Sequence, residues 1–135
     1  MKILDTDTCI AILRGSEAVI EKRRQTFDRV VTTWITAGEL FYGAAKSRDP
    51  VGNRTLVERF LDTITVLALD TITAQFFGAL KAILEDEGRR LPDADLWIGA
   101  TARAHRASVV TGNTRHFSRI NGVQVENWMK SIETP

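Results

Sequence analysis

The sequence predicts an α/β fold: one domain with a short, mainly parallel central sheet flanked by helices in three layers, α/β/α. Three observations carry this. Short apolar or β-branched runs recur at residues 2–5, 30–33, 64–67, 108–111 and 122–126. Most are separated by stretches with helical periodicity, as parallel pairing requires. The chain has 135 residues, 44% hydrophobic and 26% charged, which suits a single domain over residues 1–135 with a sizeable core.

The elements follow in order. Residues 2–5 form a buried strand ending at Asp5. Thr6 or Asp7 caps a helix that runs to about Arg14 and stops at Gly15. Ser16 starts a second helix reaching about Thr26, and residues 30–33 form a β-branched strand. Thr36 and Glu39 stand in the S/T-x-x-E spacing of a capping box, so Glu39 opens a helix continuing to about Lys46. A polar loop over residues 47–53 precedes a helix over 54–62 and a strand over 64–67. Asp70 or Thr71 starts a long helix to about Glu87, with Ile72, Phe76, Leu80, Ile83 and Leu84 as its apolar stripe. After the loop at 88–92, Asp93 caps a helix whose Ala94, Trp97, Ile98, Thr101 and Ala102 follow i, i+3, i+4, i+7 spacing. Strands at 108–111 and 122–126 complete the sheet.

Composition excludes several function classes. The lone cysteine, Cys9, leaves no disulfide framework or thiolate zinc cluster within a monomer and reads as a buried core residue. Formal net charge is +1, too balanced to announce a nucleic-acid binder. Small basic clusters do occur, at Lys22 to Arg24, Lys46 with Arg48, Arg89 with Arg90, and Arg103 with Arg106. They read as a solvated face unless they converge on an acidic site and hold phosphates there. No signal peptide or membrane span is expected, and a cytoplasmic location is the default. Phosphate-loop, dinucleotide-binding and nucleophile-elbow motifs are missing. His105 reads as a helix-end residue and His116 as a surface-turn residue, both structural or exposed.

Asp5, Glu39 and Asp95 carry the functional signal. In an open parallel sheet, sites form beyond the carboxyl ends of strands. Asp5 ends a strand, and Thr111 and Asn113 follow another. Glu39 and Asp95 are expected in the first turns of their helices. All can reach one edge. Carboxylates brought together repel, and a hard divalent cation, Mg²⁺ or Mn²⁺, relieves that repulsion. Such an ion can activate water against phosphorus. Each acid also has a plainer reading: Glu39, Asp93 and Asp7 are natural helix caps, and Asp95 suits the helix dipole.

Four ordered blocks sharpen this reading: residues 3–8, 35–43, 92–102 and 110–117. They resemble the signatures of the PIN-domain family over nearly the whole chain, most of all its VapC-type toxins from bacterial toxin–antitoxin modules. The Asp5-Thr6-Asp7 start and the 112–117 segment resemble the branch acting on initiator tRNA. The resemblance implies a Mg²⁺- or Mn²⁺-dependent endoribonuclease with Asp5, Glu39 and Asp95 as metal-binding acids. It matches Asn113 to a position that is often aspartate, which puts a second metal in doubt. Thr111, Asp93 and Asp7 match supporting positions, and Arg14, Lys46, Arg48 and Arg115 are candidates for RNA contact. It also implies a homodimer and a VapB-like antitoxin, for which Ile10, Leu13, Val19 and Ile20 offer an apolar groove. Two alternatives remain: a catalytically silent PIN-like binding module, supported by Asn113, and a Mg²⁺-dependent phosphoacceptor domain using Asp70. The second lacks the lysine it needs after Val110.

Overall fold

The computed structural model describes residues 1–129; the last six residues of the expected domain lie outside this range. Five strands form one sheet in the order β3-β2-β1-β4-β5. They are β1 (Lys2–Leu4), β2 (Val30–Thr33), β3 (Thr65–Leu67), β4 (Ser108–Val110) and β5 (Val125–Glu126). Every neighbouring pair is parallel, with Lys2 opposite both Val30 and Ser108.

The period-2 alternation of strands divides the core in two. Ile3, Val31 and Val109 face α5 (Thr71–Asp86) and α6 (Asp93–His105), joining Leu80, Leu84, Leu96 and Ile98. Leu4 and Val110 face the opposite way, toward α1 (Thr6–Leu13), α2 (Glu17–Gln25), α3 (Trp34–Ala45) and α4 (Pro50–Asp62). There they join Cys9, Val19, Leu40, Val57 and Phe60. The expected three layers are present.

Helix boundaries differ from the sequence reading where capping chemistry had competitors. Asp5, not Thr6 or Asp7, caps α1: its side chain accepts from the Thr8 amide at 2.9 Å. Gly15, at φ +80°, ends α1 with paired bonds, its own amide to Ile12 and that of Ser16 to Ala11. Thr33 caps α3 by accepting from the Thr36 amide at 3.2 Å. The expected capping box at Thr36 and Glu39 is therefore absent, and Glu39 lies in the second helical turn. Asp49 caps α4 with Pro50 at its first position, shortening the polar loop. Pro92 precedes α6, so Asp93 is its first residue rather than its cap and pairs with Lys81 at 3.1 Å. A four-residue helix, α7 (Thr114–Phe117), was not anticipated; Asn113 caps it.

Cys9 is fully buried, its sulfur 3.7 Å from the Thr32 hydroxyl. Burial pushes its thiol up to about 12. The thiol of folded protein should therefore resist alkylation at pH 8 and react on denaturation; prompt labelling of the native chain would contradict this packing. No helix among the described residues is long and apolar enough to cross a membrane.

Candidate active site

The strand order places the site. From β1 the chain builds outward through β2 and β3, then returns to the other side of β1 with β4 and β5. The reversal lies between β1 and β4, and ligand crevices open beyond the carboxyl ends of strands at such a point. Asp5 follows β1 and Thr111 follows β4 there, and the Asp5 amide donates to Val110 at 3.0 Å.

Asp5 is 5% exposed. Burial raises its carboxyl above the usual range, and Asp7 adds a smaller push the same way. Hydrogen bonding from Thr111 and from the Thr8 amide and hydroxyl opposes that rise. Glu39 approaches from α3 and is exposed. Its Oε1 accepts from the Thr6 hydroxyl at 2.6 Å, and the Thr6 and Thr36 hydroxyls are 3.2 Å apart. Among the described residues, neither Asp5 nor Glu39 has a cationic partner.

A second group lies across the edge. Asp95, in the first turn of α6, has its Oδ2 2.9 Å from His116 Nδ1 on α7. Asn113 Nδ2 is 3.0 Å from the same nitrogen. The Asn113 amide donates to the Thr111 hydroxyl at 2.9 Å, and so links this group to the strand end beside Asp5. His116 belongs to this edge, and the sequence reading missed it. Its only signal was its place three residues after Asn113, at helical i+3 spacing.

As the side chains stand, no three His, Cys, Asp or Glu among the described residues are close enough to share a metal ion. Thr6 holds Glu39 and His116 holds Asp95, so each repelling anion has taken its own donor. The donor set nevertheless fits a hard cation: carboxylate oxygens, a nearby amide, and a buried carboxyl with no positive partner.

The other candidates separate clearly. Arg14, Asp7 and Asn113 line a cleft of about 970 Å³ beside this edge, together with Ser16, Asn127 and Met129. Arg115 is exposed on α7 next to His116. Asp93 is engaged by Lys81. Lys46 ends α3 seven residues past Glu39, roughly 10 Å further along the helix axis, and Arg48 follows it. Ile10 and Leu13 line a groove of about 270 Å³ between α1, α3 and α4, with Leu40, Leu56 and Val57. Val19 is fully buried, so it belongs to the core and not to that groove. Asp70, the acid of the phosphoacceptor alternative, caps α5, accepting from the Thr73 amide at 2.8 Å.

A three-layer α/β protein with an acidic edge at the sheet's switch point is the class this architecture defines. The chain belongs to the PIN domain family, whose pattern matches residues 2–123. It is 34% identical over 127 residues to the tRNA(fMet)-specific endonuclease VapC of Shigella flexneri, covering 93% of this chain and 96% of that one. It is similar to the VapBC of Salmonella typhimurium solved with bound DNA (TM-score 0.89, 36% identity, 94% and 97% covered). VapBC-1 of nontypeable Haemophilus influenzae superposes at TM-score 0.87 with 28% identity, covering 96% of this chain and 98% of that one.

Proposed function

We propose that this chain is a metal-dependent endoribonuclease toxin of a toxin–antitoxin module, working as one nuclease domain. The carrying observation is the buried Asp5 carboxyl at the switch point of the sheet, which has no cationic partner among the described residues. The names of its relatives, ribonucleases and a tRNA(fMet)-specific endonuclease, support RNA as substrate and initiator tRNA as the first target to try.

Asp5, Glu39 and Asp95 are the residues that would hold a Mg²⁺ ion, with Mn²⁺ as substitute. Such an ion, when bound, would supply an activated water and neutralise phosphate charge. Thr111 steadies Asp5 through a side-chain hydrogen bond, and Asn113 stands at the same edge. Asp7 and Arg14 line the adjoining cleft, where an unpaired RNA strand bends in and Arg14 meets its phosphates. Arg115 extends the same contact from α7. Asp93 supports the start of α6 through Lys81. Hydrolysis adds water to phosphorus and breaks one P–O bond of the backbone.

The VapBC structures it resembles support a VapB-like antitoxin as partner, with an apolar segment in the groove of Ile10, Leu13 and Leu56. A homodimer and a cytoplasmic location complete this reading. Purified chain, freed of antitoxin, should cut a tRNA panel with Mg²⁺ or Mn²⁺. Chelation should stop cleavage and added metal restore it, with cut sites mapped by 5′-end sequencing. Unchanged cutting in excess chelator would remove the metal from the proposal, and no cutting under any condition would favour a silent binding module.

A further inference from the structure

We propose that His116 is a positioning residue for Asp95 and that Asn113 serves the site by holding His116, not by ligating the cation. The inference rests on the nuclease reading above and assigns the part of the edge that reading leaves unexplained.

The hydrogen-bond chemistry leaves one consistent arrangement. A carboxylate only accepts, so at 2.9 Å from Asp95 Oδ2 the His116 Nδ1 carries the proton and donates it. Asn113 Nδ2 only donates, so its 3.0 Å approach to Nδ1 is a contact without a shared proton. Asn113 acts through its oxygen, which accepts from the His116 amide at 3.4 Å and so caps α7. The amide orientation follows from that bond. Phe117, the next residue, is 1% exposed and anchors α7 in the core.

The ring is thus fixed from both sides: core packing sets its backbone and Asn113 sets its helix start. The consequence falls on Asp95. Its Oδ2 is committed to His116, which fixes the carboxylate plane and leaves Oδ1 for a cation. Partners that orient a ligating group in this way are generally worth about 10- to 100-fold in metal affinity. An acid at position 113 would add like charge beside Asp95 and offer no amide to the edge. The asparagine there keeps the Nδ1 proton for Asp95 alone.

The test is Mn²⁺ titration calorimetry on the full chain, with thermal melts to verify folding. His116→Ala should bind Mn²⁺ about 10- to 100-fold more weakly, and kcat should fall while KM for RNA changes little. His116→Asn places an amide nitrogen near the position of Nδ1 and should stay close to wild type. His116→Gln reaches toward Nε2 instead and should behave like the alanine variant. Wild-type affinity in His116→Ala, or rescue by glutamine but not asparagine, overturns the inference while leaving the nuclease reading intact. Absence of Mn²⁺ binding by the wild type overturns both.

Discussion

Asp5→Asn should abolish RNA cleavage, by about a thousandfold or more, while the protein stays folded. The activity loss follows from removing a charged ligand whose cation is worth several kcal/mol to the transition state, at about 1.4 kcal/mol per tenfold. The retained fold follows from the local chemistry. Asparagine caps a helix as well as aspartate does, so the bond from the Thr8 amide survives. The variant also removes a buried carboxyl that lacks a positive partner.

The pH dependence has a definite sign. Burial raises the Asp5 pKa in the folded chain, so its stabilising contribution is complete below the unfolded value and is lost as pH rises through the folded one. In metal-free buffer the variant should match the wild type in acid and gain on it toward neutral pH. Added Mg²⁺ should raise the melting temperature of the wild type more than that of the variant. Cleavage persisting in Asp5→Asn, in protein freed of wild-type contamination, would dismiss the acid as a ligand.

Phe117→Ala should cost about 3–5 kcal/mol of stability. Its side chain is 1% exposed and joins Leu96, Ile98 and Ile120 in the core. Its second effect is on the site. A helix of four residues has little stability of its own, so α7 depends on this anchor. Losing it should loosen Asn113 and His116 and lower cleavage below what the unfolded fraction explains. Phe27→Ala makes the control, because Phe27 is fully exposed and its loss should stay within about 0.5 kcal/mol. Equal melting temperatures for the two variants would show that α7 is not held by this ring.

Much of the fold was legible because period and punctuation agree in this chain. The β-branched run at Val30 to Thr33 and the Gly15 stop each point one way. The stripe expected on α5 holds only in part: Leu80 and Leu84 are buried, while Ile72 and Ile83 are exposed. Caps were read less well. Thr33 and Thr36 both offer a hydroxyl, and only the chain's path out of β2 selects Thr33. That shift removes the plain explanation of Glu39 as a capping acid. At Asp5 the outcome reverses: it, and not Thr6 or Asp7, is the cap of α1, so this acid too has a structural role. His116 escaped notice because a lone histidine in a short polar stretch carries no periodic signal.

The one-dimensional pattern was enough for the layer architecture and the lone buried thiol, because burial periodicity and residue chemistry are local properties. Which atoms meet was decided only in three dimensions. The pairing of β1 with β4 brings Asp5 beside Thr111, more than a hundred residues away. The fold of α7 against the core then hands Asp95 to His116. Both depend on packing between distant segments, whose geometry no short stretch of sequence encodes.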